Sequence, residues 1–575
     1  MEYSFAIIPR IMFRVLCAFF VLLAGCNPTS PLASVAQAPT RAPIQIENRK
    51  SKIENLRVGW AYEAYPDASF EKMRDDFAMM RVNGANAVWL GHNNPGEVDA
   101  QKVEPGMSYA VYAALQNEND PLHQDARAMA DAIKHALDAA RATNLQIILP
   151  IGYQIQMGDE WNRAHPDDLR LTSDGQPLNM FNSGPTASPY SPQYRADITK
   201  YYEWIQREFV EPYRDVIVML SLADEPMGGD YSEHAKNEFV RRYGKNWNEL
   251  SQNELWKLGE FQSGVIADYA AWSANEWKRI NPQLLVTMSF HGGDTARRVW
   301  GLPEVEKLFS QTPDNFIVTF DAYLHDDLAA KPATSDEAAQ LKLFLSAIGN
   351  YSRAYNKPLA LWGGVNAWGL AQESSAPLGI PDAVTNLLLL YDLPTRAGGS
   401  VWGIFAWNYN VKEQGLENYA RPTTYDVRTM QIAVERAFPL LRTRQIEPSA
   451  PTIAILTAPR ALYNALAEAR ASDIPPTWFD TTPFARALEN RNVVIISSSQ
   501  ALTNTQDASV YIVAARADDL RDETLKFLRE RFGEGVIIMG DESLARALDA
   551  PSKNWTQGLS RLPTVGGAIY LFSEK

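Results

Sequence analysis

Residues 216–226 read VIVMLSLADEP, a continuous apolar run that leads directly into two acids and a proline. Continuous apolar runs are typical of parallel strands that are buried on both faces, whereas strands with one wet face alternate apolar and polar residues. The stretch therefore predicts a buried strand over Val216–Ala223, with Asp224 and Glu225 at its carboxyl end and Pro226 opening the loop that follows.

Seven further apolar runs flank this one and alternate with helical patterns, such as Phe70, Met73, Phe77 and Met80 on one helical face. Eight strand–helix units predict a closed, parallel (β/α)8 (TIM) barrel. The alternative is an open doubly wound sheet, which would carry a glycine-rich phosphate turn that the sequence lacks. The other predicted strands are Leu56–Tyr62, Ala87–Leu90, Leu145–Pro150, Leu284–Phe290, Phe316–Phe320, Pro358–Trp362 and Ser400–Trp407.

Length and composition predict a globular protein of more than one domain. The chain has 575 residues, of which 46% are hydrophobic, and a formal net charge of −14 with seven histidines. A length of this order exceeds that of one ordinary domain. Because the net charge is negative and no basic patch stands out in the sequence, nucleic acid is not expected as a partner.

The N-terminus resembles a bacterial lipoprotein signal. Arg10 and Arg14 precede an apolar run, residues 15–23, which ends in Leu-Ala-Gly and then Cys26. We expect residues 1–25 to be removed and Cys26 to be lipidated, which predicts an exported protein anchored to the cell envelope. A plain secretory signal or a membrane anchor is the alternative. Residues 26–55, rich in proline, serine, alanine and threonine, predict a flexible tether.

Aromatic, acidic and amide side chains recur at the carboxyl ends of the predicted strands, where a barrel carries its chemistry. Flat rings stack on the apolar faces of sugars and polar groups bind the hydroxyls, so this mixture predicts a carbohydrate site. Core packing is the alternative for any single ring. The predicted substrate-binding residues are Trp60, Glu63, Trp89, Asn93, Tyr153, His291, Tyr323, Trp362, Trp402 and Trp407.

Two sequence motifs, taken together with this order of strands, give a more specific resemblance to a known family. Ala223-Asp224-Glu225-Pro226 is similar to the Asn-Glu-Pro setting of an acid/base glutamate after strand four, and EFVRRYGKNWNELS (238–251) resembles the helix that follows it. The region 56–440 thus resembles clan A glycoside hydrolases, nearest to family 42 β-galactosidases and cellulase-like barrels.

The resemblance implies that the protein hydrolyses O-glycosidic bonds, with Glu225 as general acid/base and Asp224 in place of the usual asparagine. It also implies that Tyr323 orients the nucleophile and that Trp402 or Trp407 forms a stacking floor beneath the sugar. The alternative for Asp224 and Glu225 is a pair of loop acids at a strand end.

The seventh strand departs from the clan. KPLALWGGVNAWG (357–369) has Trp362 or Gly363 where a glutamate nucleophile is expected. Three alternatives stay open. Asp321, and after it Glu63 and Glu373, could supply the second carboxylate. An N-acetyl group of the substrate could act as nucleophile beside the Asp-Glu pair. The barrel could instead be a non-catalytic carbohydrate-binding or scaffold protein.

Residues 450–575 predict a separate, smaller α/β domain, flavodoxin-like or amidotransferase-like. Its apolar runs are TIAILTA (452–458), NVVIISS (492–498), SVYIVAA (509–515) and GVIIMGD (535–541). It resembles in order and class the domain after the barrel in family 42, which implies a role in contacts between copies of the chain. With no cysteine it cannot carry a cysteine nucleophile. No metal-ligand spacing joins the histidines, so no metal or cofactor is predicted.

Overall fold

The computed structural model describes two α/β parts of the chain, and all structural statements below concern the described residues. These are residues 56–91, 106–179, 184–226, 228–291, 302–322, 325–326, 331–332, 335–364, 368–369, 380–407, 409–410, 421–422, 427–449, 451–457, 467, 493–496, 508–514, 517, 520, 522–534, 536–540, 542–548, 559–564 and 567–572. The predicted signal and tether, residues 1–55, lie outside them.

Eight parallel strands close into a barrel in which each strand pairs with the next in sequence and the eighth pairs with the first. This confirms the predicted fold class and excludes the open sheet. Each strand lies within two residues of its predicted bounds. The strands are β1 (Arg57–Tyr62), β2 (Ala87–Leu90), β3 (Gln146–Pro150), β4 (Ile217–Asp224), β5 (Leu285–His291), β6 (Phe316–Asp321), β7 (Leu359–Gly364) and β8 (Val401–Trp407).

Helices return the chain from the carboxyl end of each strand to the amino end of the next. They are α1 (Phe70–Val82), α2 (Tyr109–Gln116), α3 (His123–Thr143), α4 (Asp159–Ala164), α5 (Pro192–Ile205), α6 (Glu233–Tyr243), α7 (Trp256–Ile280), α8 (Leu302–Gln311), α9 (Ser335–Tyr355), α10 (Ile380–Arg396), α11 (Val427–Glu435) and α12 (Ala437–Thr443). Among the described residues, none of the helices is both long enough and apolar enough to cross a membrane.

The barrel interior is aromatic on one side and polar on the other. Trp89 on β2 packs edge-on against Trp362 on β7 and Phe405 on β8, with ring centroids 4.4 and 5.4 Å apart. On the opposite side, the hydroxyls of Thr287 on β5 and Thr319 on β6 lie 2.6 Å apart and are fully buried. The polar side adjoins β4, whose end carries the predicted acids.

The second part of the chain is a six-stranded sheet, which agrees with the predicted α/β class. Its strands are β9 (Ile453–Thr457), β10 (Val493–Ile496), β11 (Val510–Ala514), β12 (Ile537–Gly540), β13 (Leu559–Thr564) and β14 (Gly567–Phe572). They run in the order β10-β9-β11-β12-β14-β13, and only β13 is antiparallel to its neighbour. Helices α13 (Asp522–Gly533) and α14 (Glu542–Ala547) accompany the sheet.

Edge strand β10 of this sheet contacts the barrel through helix α9. Ser346 Oγ donates to the carbonyl of Val493 at 3.2 Å, and the Asn350 amide donates to the same carbonyl at 3.1 Å. The Val493 amide donates back to Ser346 Oγ at 3.3 Å. These buried bonds satisfy backbone groups that an edge strand would otherwise leave unpaired. The domain boundary at 440–450, the finer fold assignment and the role in oligomer contacts stay predictions.

Candidate active site

The two acids at the end of β4 lie at the carboxyl end of the barrel, as predicted. Asp224 is the last residue of β4 and is buried, whereas Glu225 follows it at the first position beyond the strand and is partly exposed. The amide of Glu225 donates to the carbonyl of Ser289 on β5 at 2.8 Å. A partly exposed acidic residue whose backbone is anchored is a candidate for proton exchange with a ligand.

Glu225 has a left-handed backbone, with φ of 43°, which residues other than glycine seldom adopt. The loop after β3 bonds to this part of the chain. The amide of Gln154 donates to the carbonyl of Asp224 at 3.0 Å, and the side-chain amide of Gln154 donates to the carbonyl of Glu225. Strained backbones of this kind persist where neighbouring structure fixes them, and they cluster at functional sites.

A buried charged cluster fixes the loop that follows Glu225. The guanidinium of Arg170 is fully buried and donates to the carbonyl of Gly228 at 3.2 Å. The carboxylate of Asp230 accepts from Ser188 Oγ at 2.6 Å, and Gln262 bonds both the amide and the carbonyl of Asp230 at 2.7 and 2.8 Å. Burial lowers the pKa of Arg170 to about 10 and raises the pKa of Asp230.

This cluster was not found from the sequence. Arg170 and Gln262 lie far from Glu225 along the chain, in the loop after β3 and in helix α7. The only local signal is the Gly228-Gly229-Asp230 sequence, since a β-carbon on Gly229 would lie 2.2 Å from the Gln262 side-chain oxygen. The close approach of the Gln262 side chain explains why residue 229 is a glycine. The sequence alone does not show that Gln262 is the residue that approaches.

Two other predicted carboxylates lie at the same end of the barrel. Glu63 follows β1, is 7% exposed, and has its backbone held by both side-chain groups of Asn410, at 2.8 and 2.9 Å. Asp321 is the last residue of β6, is 2% exposed, and lies in register between His291 of β5 and Trp362 of β7. The third candidate, Glu373, lies outside the described residues.

Two of the predicted sugar-binding tryptophans lie elsewhere, and those predictions are corrected. Trp60 points outward from β1, because its ring packs edge-on against Phe438 of α12 and Tyr409 at centroid distances of 6.1 and 5.7 Å. Trp402 is the second residue of β8 and therefore lies at the amino end of the barrel, with the Arg57 guanidinium 4.9 Å from its ring centroid. Neither ring is at the mouth.

Trp89 and Trp362 lie inside the barrel and pack against each other. Each is 1% exposed, so in this conformation they fill the interior and present no open face to a sugar, contrary to their predicted roles. Tyr153, in the loop after β3, is 7% exposed and remains a candidate.

The remaining predicted residues are only partly described. His291 and Trp407 are the last residues of β5 and β8, at the mouth, but their side chains lie outside the description. Asn93 and Tyr323 lie outside it altogether. Within the part of the chain that the structure describes, no three His, Cys, Asp or Glu side chains group as metal ligands.

Comparison with known proteins finds the same fold at low sequence identity. No protein-family model and no curated protein matches the chain. The solved β-galactosidase from Rahnella sp. R3 is 12% identical with a TM-score of 0.60, over 86% of this chain and 72% of that one. A catalytic mutant of Gan42B, a GH42 β-galactosidase from G. stearothermophilus, is 12% identical with a TM-score of 0.59, over 85% and 72%.

A third solved structure is similar to this chain to the same degree. The polyextremophilic β-galactosidase from Halorubrum lacusprofundi is 12% identical with a TM-score of 0.59, over 84% of this chain and 72% of that one. The resemblance to clan A barrels that the sequence motifs suggested is therefore confirmed at the level of the fold. Function has to be argued from the site itself.

Proposed function

We propose that the protein hydrolyses O-glycosidic bonds of a carbohydrate, with Glu225 as the general acid/base. The observation that carries the proposal is the position of Glu225. Glu225 is partly exposed and follows β4 at the carboxyl end of a closed barrel, on a left-handed backbone held by the loop after β3 and by β5. The barrel shares its fold with solved β-galactosidases, in support of this chemistry.

In this proposal the Glu225 carboxyl group protonates the leaving oxygen and its carboxylate then activates a water molecule. Asp224 accepts a hydrogen bond from a sugar hydroxyl. Because Trp362 and Gly363 stand where the strand-seven glutamate is expected, Asp321 on the neighbouring strand β6 is our candidate for the second carboxylate. A separation of about 5 Å between the two carboxyl groups would give retention, and about 6.5 to 9.5 Å would give inversion through water. Glu63 is the next candidate.

The second candidate function is carbohydrate binding without turnover, and one observation favours it. Trp362 occupies one of the two positions expected for the strand-seven glutamate, the other being Gly363, and its ring is buried against Trp89 at a centroid distance of 4.4 Å. An indole cannot attack an anomeric carbon, so the usual pair of carboxylates is incomplete at this strand.

An assay separates the two functions. The purified protein is incubated with a panel of nitrophenyl glycosides and unsubstituted oligosaccharides, and the anomer released first is identified by NMR. We expect turnover of at least one sugar class, with a single anomer formed. If sugars raise the thermal unfolding midpoint and none is cleaved, the barrel binds carbohydrate without hydrolysing it.

We also propose that the protein is exported and anchored through a lipid on Cys26, so that the barrel acts at the cell envelope. Support comes from the signal-like residues 1–25 and the polar tether that follows. We expect the wild-type protein to partition into a detergent phase and Cys26→Ala to remain in the aqueous phase. Equal partitioning of the two proteins would contradict lipid attachment at Cys26.

A further inference from the structure

We infer that Gln154 is a positioning residue for Glu225, which sets the direction of the Glu225 carboxyl group by holding its backbone. The inference rests on the proposed function, because it assigns a partner to the proposed acid/base. Gln154 lies in the loop after β3, 71 residues before Glu225, and its side chain is 1% exposed. Gln154 therefore contacts Glu225 from a buried position and does not reach solvent.

Gln154 binds the carbonyls of the two peptide groups that flank the Glu225 α-carbon. Its backbone amide donates to Asp224 O at 3.0 Å, and its side-chain amide donates to Glu225 O. On the other side, the Glu225 amide donates to Ser289 O at 2.8 Å. These three bonds fix the peptide planes before and after the Glu225 α-carbon, and those planes determine where its side chain points.

The backbone of Glu225 requires such support. With φ of 43° it occupies the left-handed region, which is unfavourable for a residue with a β-carbon. Without the bond to its carbonyl, Glu225 could relax to an ordinary negative φ, and the direction of its α–β bond would change. Gln154 itself has φ of 49°, which is also in the left-handed region. The loop that carries the Gln154 amide therefore contains a second unfavourable backbone conformation.

Two further features bear on this contact. Gln154 Oε1 is buried and has no hydrogen-bond partner among the described groups, a state that costs folding free energy. Two residues earlier, a β-carbon on Gly152 would lie 2.5 Å from the carbonyl oxygen of Leu222. The β3 loop is thus pressed against β4, which brings the Gln154 amide within reach of Glu225.

The test compares Gln154→Met with wild type on two substrates that carry the same sugar. Methionine keeps the length of the side chain and removes its donor. A nitrophenolate leaves without a proton, whereas an alkyl alcohol leaves only with one, so a misdirected acid slows the alkyl glycoside selectively. We expect kcat for the alkyl glycoside to fall by about 10- to 100-fold, and kcat for the nitrophenyl glycoside by less than about threefold. Gln283→Met, at an exposed turn before β5, is the matched control.

The outcomes are distinguishable. An equal loss on both substrates, or no loss, overturns the positioning role. If Gln154→Met does not fold, Gln154→Asn, whose shorter amide cannot reach the carbonyl, is read in the same way. Failure of wild type to cleave either substrate contradicts the proposed function and removes this inference with it, whereas a failure confined to the Gln154 comparison leaves the proposed function intact.

Discussion

Glu225→Gln is expected to lower the turnover of an unactivated glycoside by at least about a hundredfold, because the amide cannot donate the proton that the leaving oxygen needs. Glutamine keeps the shape of the side chain, so the dissociation constant of the sugar should change by less than about threefold. The measurements are kcat for the alkyl glycoside and the sugar dissociation constant from calorimetry, for wild type and variant.

Glu233→Gln is the matched control for this experiment. Glu233 lies in the first turn of α6, eight residues after Glu225, and its side chain is 75% exposed and paired with Lys236 at 2.9 Å. Exposed pairs of this kind contribute little to stability, so the variant should behave as wild type. Full activity in Glu225→Gln, together with unchanged sugar binding, would mean that another group protonates the leaving oxygen.

The eight strands could be predicted because burial on both faces leaves a continuous apolar signal. VIVMLSLA predicted β4 and PLALW predicted β7, each within two residues of the observed strand. The position of Glu225 followed from the same reasoning, since it stands two residues after the end of the predicted strand Val216–Ala223. The end of a strand is visible in the sequence, and the mouth of a parallel barrel is made of those ends.

The orientation of single side chains could not be predicted in the same way. Trp60 lies two residues before the end of β1 and points outward, because side chains alternate along a strand and Ala61, not Trp60, faces the interior. Trp402 belongs to the same aromatic strand as Trp407 but lies at its opposite end. An apolar run does not show which of its members face the interior or where the mouth begins.

The contacts that hold Glu225 and the loop after it could not be predicted, for a different reason. Gln154 and Arg170 act through contacts that join the β3 loop to the β4 loop, far apart in sequence. Glutamine in a loop is an ordinary surface residue until the fold buries it, and neither residue belongs to a motif. Only the register of β3 against β4 brings them to the site.

Trp362 is the residue that distinguishes the two proposed functions. Because its side chain is buried, its substitution is also expected to have a large effect on stability. Its indole packs against Trp89 and lies beside Phe405 in the strand register, and it is 1% exposed. We expect Trp362→Ala to lower the free energy of unfolding by about 3 to 5 kcal/mol, because it removes a large buried ring and leaves a cavity. Trp362→Phe, which keeps one aromatic ring, should cost less. Urea unfolding followed by tryptophan fluorescence measures both.

The decisive variant is Trp362→Glu, which places a carboxyl group at one of the two positions, Trp362 and Gly363, where the resemblance leads us to expect a nucleophile. If the site is a packed interior, the glutamate side chain meets Trp89 and Phe405 in place of water, and burial of an unpaired carboxylate destabilises the barrel at least as much as alanine does. Trp362→Gln also lacks the ring but carries no charge. The difference in unfolding free energy between Trp362→Glu and Trp362→Gln therefore measures the cost of burying the charge. Turnover gained in Trp362→Glu, at little cost in unfolding free energy, would instead mean that the strand-seven subsite is open and that tryptophan alone keeps this barrel from the usual two-carboxylate reaction.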